Sequence, residues 1–341
     1  MPLASDITID ASKFRAENVA EETKKANKLV ESITANSPKW HEVGAAKHRE
    51  MRETGETPLP VPVYLPEAFN ATLPSRDNSR DIPMRVYKPS NGQRSKGVLI
   101  HFHGGGFVLG SHMHADTYLR MYADKCQLTA ISVGYRHAPE DPYPAGVHDC
   151  IDAAVYLVDH AEKEYGAPLR FIAGESAGGC LTALTAFGLM RSRPSHRLSG
   201  LILHYGEFDL SLELPSVISY TKPLVVNKDS LERFNEAYLP GMSRAERRHP
   251  GVSPLYEDMI GLAASSPTKS LPPALFVCGT DDALLDDTLL MSAKWAISGE
   301  AIAKIYPGAC HGFTAFPGLS VAEEALDVTV QFVREKLHVE V

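Results

Sequence analysis

The sequence has few of the features that mark secreted, membrane-bound or metal-binding proteins. Its 341 residues include five cysteines, which are widely spaced and form no Cys-x-x-Cys pair, so neither a disulfide framework nor a zinc site is expected. No apolar run reaches the roughly 18 residues that a membrane span requires. The N-terminus has neither the basic nor the apolar region of a signal peptide. We therefore expect a cytoplasmic protein with no membrane partner.

Positive charge is also scarce. The 34 lysines and arginines are outnumbered by 42 acidic residues, which gives a formal net charge of −8. Nucleic acids attract proteins with clustered positive charge, so no nucleic-acid partner is expected. Two His-x-His pairs occur, at 101–103 and 112–114, and a spacing of this kind is common by chance. We expect them to hold no metal.

What the sequence does contain is an alternation of strand and helix patterns from about residue 80 onward. Strands are predicted at 82–87, 98–102, 128–135, 169–173, 201–205, 274–278 and 301–306. Helices are predicted at 118–126, 147–165, 180–190, 284–297 and 321–336. This alternation indicates an α/β protein with a mostly parallel sheet and helices on both faces.

Two segments depart from the alternation. Before it, the apolar spacing predicts a helix over 12–36 and a shorter one over 40–51, followed by a proline-rich extended connector to about residue 70. Within it, prolines break the stretch 210–265 into short pieces, which we interpret as an insertion at the carboxyl edge of the sheet.

One pentapeptide in this pattern carries a reactive group. Residues 174–178 read Gly-Glu-Ser-Ala-Gly, directly between the strand at 169–173 and the helix at 180–190. A sharp turn from strand to helix strains the residue at its apex, and the two glycines keep Cβ atoms out of the crowded space beside it. The pattern predicts a nucleophile elbow with Ser176 exposed above the helix N-terminus. Its neighbour Glu175 should point away from the substrate, into a structural ion pair or hydrogen bond.

Two strands downstream of Ser176 end beside groups that could activate it. A serine needs a histidine to take its proton and a carboxylate to orient that histidine. In sheets of this type the order is serine, acid, histidine, each after a strand. The strand at 274–278 leads into Asp281 and Asp282, and the strand at 301–306 leads into His311. Either aspartate could serve as the acid.

A run of glycines offers a site for the oxyanion. Residues 103–107 read His-Gly-Gly-Gly-Phe and follow the strand at 98–102. Successive glycines let the backbone approach a substrate and direct N–H groups at it, as stabilisation of a tetrahedral oxyanion requires. The N–H of Ala177, next to the nucleophile, would complete the site. We expect the His103 side chain to hydrogen-bond this loop.

The ordered set of motifs resembles that of the hormone-sensitive-lipase-like carboxylesterases, a family of the α/β-hydrolase fold. The motifs are His-Gly-Gly-Gly at 103–106, Tyr-Arg-His-Ala-Pro-Glu at 135–140, Gly-Glu-Ser-Ala-Gly at 174–178, Asp-Ala-Leu at 282–284 and His-Gly-Phe at 311–313. The resemblance covers roughly residues 75–341. It departs from the family at His137 and Asp141, where leucine and histidine are common.

The resemblance implies a role for individual residues and segments. Carried over residue by residue, it makes Ser176 the nucleophile, Asp282 the acid and His311 the base. It makes the backbone N–H groups of Gly105, Gly106 and Ala177 the oxyanion donors. It also implies that residues 1–70 and 210–265 form a helical cap over the active site. The catalytic domain would then comprise 71–209 and 266–341.

Four aromatic residues flank the predicted strand ends: Phe107, Tyr205, Phe208 and Phe313. Their position indicates that they line a substrate pocket, and packing in the core is the alternative.

The sequence therefore predicts a serine carboxylesterase that hydrolyses short- to medium-chain acyl esters through an acyl-enzyme, with no cofactor and no metal. Two alternatives stay open. One is a non-catalytic binding protein on the same fold, since plant gibberellin receptors resemble this family but have lost the histidine. The other is the same triad acting on an amide, a lactone or an acyl-transfer substrate. The resemblance also makes a homodimer possible.

Overall fold

The computed structural model describes residues 7–57, 59, 61–77, 79–316 and 318–338. Residues 1–6 of the predicted arm and two prolines of its connector, Pro58 and Pro60, lie outside these ranges. In the described part of the chain eight strands form one sheet. They are β1 Phe69–Pro74, β2 Asp81–Tyr87, β3 Val98–Phe102, β4 Thr129–Val133, β5 Leu169–Glu175, β6 Gly200–His204, β7 Leu271–Asp281 and β8 Gly299–Cys310.

The sheet has the order β1-β2-β4-β3-β5-β6-β7-β8. Strand β2 runs antiparallel to both of its neighbours, β1 and β4, and all other neighbouring strands pair in parallel. Every residue of β3, β4 and β6 is buried. Continuous apolar runs of this kind suit strands that are covered on both faces. The predicted α/β fold class, with a mostly parallel sheet, is confirmed.

Twelve α-helices accompany the sheet within the described ranges. They are α1 Glu21–Asn36, α2 Trp40–Val43, α3 Ala45–Thr54, α4 Asp116–Cys126, α5 Ala145–Tyr165, α6 Ala177–Ser192, α7 Pro215–Ser219, α8 Lys228–Tyr238, α9 Arg244–Arg247, α10 Met259–Ser265, α11 Leu285–Ala296 and α12 Ser320–Leu337. Short 3₁₀ helices occur at Ala11–Phe14, Ala16–Asn18, His112–Ala115, Pro254–Tyr256 and Phe313–Ala315.

The helices bury two apolar layers, one on each face of the sheet. On one face α5, α6 and α11 contribute side chains such as Leu157, Leu181 and Trp295, all without exposed surface. On the other face α4 and α12 contribute side chains such as Leu119 and Val333. The two layers fix the sheet so that the carboxyl ends of β5, β7 and β8 lie at one edge, where the loops after them meet.

Every predicted strand is present, and β7 and β8 extend furthest beyond their predicted bounds. Strand β7 includes Pro272 and Pro273, which have no backbone N–H to donate to a neighbouring strand. The strand tolerates them because its pairing with β8 shifts register between Leu271 and Ala274, where the regular hydrogen-bond ladder is interrupted. Strand β1 was not predicted. It has only one buried residue, Leu73, and therefore lacks the apolar alternation of a strand. The predicted domain boundary at 70/71 falls inside it.

The N-terminal arm is more broken than its apolar spacing predicts. The helix expected over 12–36 starts only at Glu21, after two 3₁₀ turns. The helix expected over 40–51 is divided into α2 and α3 at Gly44, whose φ of 90° is incompatible with a continuous helix. The insertion at 210–265 consists of short helices, α7 to α10, as its prolines predict.

Candidate active site

Ser176 lies at the sharp turn between β5 and α6. Its backbone has φ 56° and ψ −122°, a strained conformation for a residue with a side chain. The two glycines beside it are required by space. A Cβ on Gly174 would lie 2.2 Å from the carbonyl oxygen of Gly178, and a Cβ on Gly178 would lie 1.9 Å from that of Phe102. The turn has the geometry of a nucleophile elbow, with Ser176 partly exposed.

The structure brings Ser176, His311 and Asp282 together in one hydrogen-bonded chain. The Oγ atom of Ser176 lies 2.8 Å from Nε2 of His311, and Nδ1 of His311 lies 2.9 Å from Oδ2 of Asp282. His311 follows the last residue of β8, and Asp282 follows the last residue of β7. The histidine and the aspartate are 4% and 2% exposed, so water competes little for their hydrogen bonds.

The neighbouring Asp281 is held elsewhere. Its carboxylate accepts from Nζ of Lys222 at 2.7 Å and from the Tyr220 hydroxyl at 3.2 Å. The other oxygen of Asp282 accepts from the backbone N–H of Leu284 at 2.8 Å, which fixes the carboxylate toward His311. Of the two aspartates that the strand end offers, the structure therefore places Asp282 against the histidine.

The glycine loop after β3 approaches the elbow with its own backbone. Gly105 and Gly106 have φ values of 121° and 61°. A Cβ on Gly105 would lie 2.2 Å from the carbonyl oxygen of Leu109, so a side chain cannot be accommodated there. Among the described residues, no acceptor is bound by the backbone N–H of Gly105, Gly106 or Ala177. Three donors are thus available at the loop and the elbow.

A histidine holds this loop from behind, as its sequence predicts. Nδ1 of His103 lies 2.8 Å from the carbonyl oxygen of Gly104. Burial, together with the nearby His137, lowers the pKa of His103 well below its ordinary value. Burial also lowers the pKa of His137 to about 4. Both rings are therefore neutral at pH 7, and His103 donates to the loop carbonyl through Nδ1–H.

The four aromatic residues predicted to line a pocket are all buried: Phe107, Tyr205, Phe208 and Phe313. Phe107 stacks on Tyr238 with ring centroids 4.0 Å apart. Tyr205 packs against the His311 ring at 4.9 Å and binds Thr314 through its hydroxyl at 2.6 Å. These contacts correspond to the core-packing alternative, and a role in substrate binding stays a prediction.

A stacked pair of aromatic side chains, which the sequence does not assign to the site, reaches the glycine loop. Phe234 of α8 stacks on Trp40 of α2, with ring centroids 5.1 Å apart. A Cβ on Gly106 would lie 2.4 Å from the Phe234 ring. Both aromatics are partly exposed. Since the contact joins the N-terminal arm to the insertion, no local sequence pattern could have revealed it.

The described residues bring together no group of three or more His, Cys, Asp or Glu side chains that could hold a metal ion. Within the same ranges, each helix is too short or too polar to cross a bilayer.

Comparisons with known proteins identify the family of this chain. A sequence family described as having the alpha/beta hydrolase fold matches residues 99–315. Carboxylesterase NlhH from Mycobacterium tuberculosis is 30% identical over 312 residues, which cover 90% of this chain and 92% of the relative. The chain belongs to the hormone-sensitive-lipase-like carboxylesterases of the α/β-hydrolase fold. The family predicted from the motifs is confirmed.

Other members of the family are similar over most of the chain. An ethyl acetate hydrolase from Pseudomonas putida is 29% identical over 271 residues, covering 78% of this chain and 82% of the relative. The structure of a hyperthermophilic esterase from Pyrobaculum calidifontis superimposes with a TM-score of 0.77 at 28% identity. It covers 91% of this chain and 97% of the esterase.

Proposed function

We propose that this member of the carboxylesterase family hydrolyses short- to medium-chain acyl esters through an acyl-enzyme on Ser176. As a member of that family the chain is a carboxylic ester hydrolase, the enzyme class that the sequence predicts. The observation that supports the mechanism is the continuous hydrogen-bonded chain from Ser176 through His311 to Asp282.

In the acylation half of the reaction, Ser176 Oγ attacks the ester carbonyl carbon while its proton moves to Nε2 of His311. Asp282 accepts from Nδ1–H, which fixes the tautomer and stabilises the imidazolium that forms. The tetrahedral oxyanion accepts from the backbone N–H groups of Gly105, Gly106 and Ala177. His311 then gives its proton to the departing alcohol. In deacylation, water attacks the acyl-enzyme with His311 again as general base, and the carboxylic acid leaves.

The described parts of segments 1–70 and 210–265 form the cap of this site. Three contacts between the described parts of these segments and the catalytic domain support this assignment. Arg49 of α3 donates to the carbonyl of Val108, in the loop after the glycines, at 2.7 Å. Asn27 of α1 donates to the carbonyl of Gly308 at 2.8 Å, three residues before His311. Lys222 of the insertion binds Asp281, beside the proposed acid.

The preference for short to medium acyl chains rests on the Trp40–Phe234 pair. The Phe234 ring, stacked on Trp40, lies directly against Gly106 and so limits the space beside the oxyanion donors. A wall this close to the reacting carbonyl suits a compact acyl or alkyl group. The relative named ethyl acetate hydrolase carries a small substrate in its name, in agreement with this proposal.

Hydrolysis of p-nitrophenyl esters from acetate to palmitate tests the proposal, with wild type and Ser176→Ala measured side by side. We expect turnover that peaks at short to medium chains and is lost in the variant. A folded protein that turns over no ester would instead favour the ligand-binding alternative. Parallel assays with anilides and lactones of the same acyl groups identify a preference for another bond.

Two further predictions accompany the proposal. They are assembly as a homodimer and a cytoplasmic location. Size-exclusion chromatography with light scattering measures the first, and fractionation of the source cells measures the second.

A further inference from the structure

Glu175, the residue before the proposed nucleophile, joins the elbow to the oxyanion loop. One oxygen of its carboxylate accepts from the backbone N–H of Gly104 at 2.9 Å. The other lies 2.8 Å from Nε2 of His101 on β3. The Glu175 side chain is 20% exposed and that of His101 is 2% exposed. The carboxylate is therefore screened from bulk water and held by two donors, which makes both hydrogen bonds strong.

His101 is itself fixed, so it can anchor the carboxylate. Its Nδ1 lies 3.1 Å from Oγ of Ser132, on the neighbouring strand β4. Its ring also stacks on Tyr118 of α4, with centroids 6.0 Å apart. With the Ser132 hydroxyl donating to Nδ1, the imidazole carries its proton on Nε2 and donates it to Glu175.

The bond to Gly104 has a direct consequence for the oxyanion donors. The Gly104 N–H donates to Glu175, whereas the next two N–H groups, those of Gly105 and Gly106, donate to no acceptor among the described residues. The loop backbone also lies directly on the elbow, since a Cβ on Gly104 would fall 2.9 Å from the carbonyl oxygen of Glu175. The loop therefore has no room to move toward the elbow, and the hydrogen bond from the Gly104 N–H to the Glu175 carboxylate sets its orientation.

We propose that Glu175 is a positioning residue, whose carboxylate clamps Gly104 so that the oxyanion donors of the loop stay aligned with Ser176. This inference rests on the proposed function and adds a residue to it. The clamp acts through hydrogen-bond geometry, not through its negative charge, which on its own would oppose formation of an oxyanion nearby. Its effect should therefore appear in the transition state and leave substrate binding nearly unchanged.

Glu175→Ala and Glu175→Gln test the clamp in the full-length chain. A misplacement of about 1 Å can cost about 100-fold in rate, so we expect Glu175→Ala to lower kcat by that order. KM should change by less than about threefold, because the lost interaction acts on the transition state. The inhibition constant of a trifluoromethyl ketone, whose adduct with serine mimics the oxyanion, should rise in step with the loss of kcat.

The glutamine variant separates geometry from charge. It keeps an oxygen for the Gly104 N–H, and its NH2 group can donate to Nε2 of His101 once the imidazole proton moves to Nδ1, where the Ser132 hydroxyl accepts it. We expect its kcat to stay within about tenfold of wild type, because a neutral hydrogen bond is weaker than a charged one but is still formed. A Glu175→Gln variant as slow as Glu175→Ala would overturn the proposal and assign the effect to charge.

Asp152→Ala is the matched control. Asp152 is also a screened carboxylate, 14% exposed, that accepts from a backbone N–H and from a cationic side chain, both of Arg76. It lies on α5, away from the elbow. We expect Asp152→Ala to lower Tm about as much as Glu175→Ala does and to leave kcat unchanged. A kcat of Glu175→Ala within about threefold of wild type would overturn the clamp.

Two additional variants keep the outcome decisive. If Glu175→Ala does not fold, His101→Ala removes the histidine that anchors the Glu175 carboxylate. We expect His101→Ala to have a kcat about tenfold lower than wild type and to bind the trifluoromethyl ketone more weakly. A normal kcat in His101→Ala would overturn the proposal. Ser176→Ala tests the underlying function. If Ser176→Ala still hydrolyses esters, the proposed mechanism is refuted. If Ser176→Ala is inactive but Glu175→Ala has a normal kcat, only the clamp is refuted.

Discussion

Phe234 of the insertion lies directly on Gly106 of the oxyanion loop. The ring atoms Cγ and Cδ1 would both be 2.4 Å from a Cβ built on that glycine. The ring is held there by its stack on Trp40. This contact joins the proposed cap to the reaction centre, and the first prediction follows from it.

Replacing Phe234 by alanine should open the space beside the oxyanion donors. We expect the acyl-chain optimum of Phe234→Ala to move toward longer p-nitrophenyl esters, with a loss of activity on acetate. The comparison of kcat/KM across the ester series measures the shift. Phe69→Ala, at a partly exposed phenylalanine on the edge strand β1, is the control and should leave the profile unchanged. An unaltered profile in Phe234→Ala would remove Phe234 as the wall of the pocket.

The two adjacent aspartates should differ sharply when mutated. Loss of the carboxylate that orients a catalytic histidine lowers kcat by about 10⁴ in a serine hydrolase, and we expect a fall of that order for Asp282→Asn. Asp281→Asn breaks the contact with Lys222 but leaves the histidine oriented, so its kcat should stay within about tenfold. Steady-state kinetics of the two variants decide the assignment; equal losses would contradict it.

The elbow glycine Gly178 should tolerate no side chain. A methyl group there would meet the Phe102 carbonyl oxygen at 1.9 Å, a contact with backbone that cannot rotate away. We expect Gly178→Ala to lower the free energy of unfolding by about 3 kcal/mol. Gly188→Ala in the same helix meets only the flexible Ile151 side chain at 3.1 Å and should change stability by less than about 1 kcal/mol. Urea denaturation of both variants provides the test, and similar stabilities would contradict the steric argument.

The sequence predicted the parts of the fold that depend on local patterns. Buried parallel strands are continuous apolar runs, and the elbow, the glycine loop and the strand-end histidine are short motifs with their own chemistry. Strand β1 was missed because its partner β2 stabilises it, not its own composition. The split of the second arm helix at Gly44 depends on a positive φ that apolar spacing does not reveal.

Other features of the site depend on contacts between distant segments. The strand-end pattern alone could not choose between Asp281 and Asp282, and only the family resemblance assigned the acid to Asp282. The choice depends on Lys222 and Tyr220, which hydrogen-bond Asp281. Nor could the sequence predict the Trp40–Phe234 pair. The aromatic residues that it did select at strand ends are packed in the core, since their proximity in sequence to the site says nothing about the direction of their side chains.

A buried carboxylate beneath the insertion should make stability depend on pH. Glu207, 2% exposed, accepts from Asn235 of α8 at 2.8 Å. Burial raises the pKa of Glu207 from 4.5 to about 7, with nearby Asp209 adding to the rise. Because the folded protein holds this proton more tightly than the unfolded chain, the group destabilises the fold increasingly as pH rises from 4.5 to 7, and fully above 7.

Glu207→Gln removes this ionisation while keeping an acceptor for Asn235. We expect the variant and wild type to be equally stable at pH 4.5. At pH 8 the variant should be the more stable, by up to about 3 kcal/mol. Urea denaturation between pH 4.5 and 8 measures the difference. A difference that is constant with pH, or that favours wild type as pH rises, would contradict the assignment.

Covalent labelling with a p-nitrophenyl alkylphosphonate tests most directly whether Ser176 is the nucleophile. Ser176 Oγ should displace p-nitrophenolate from phosphorus, releasing one equivalent of the chromophore per chain. Mass spectrometry of the digested protein should then find the phosphonyl group on the peptide that contains Ser176, and Ser176→Ala should remain unlabelled. A label on another residue, or stoichiometric release by the alanine variant, would contradict the account.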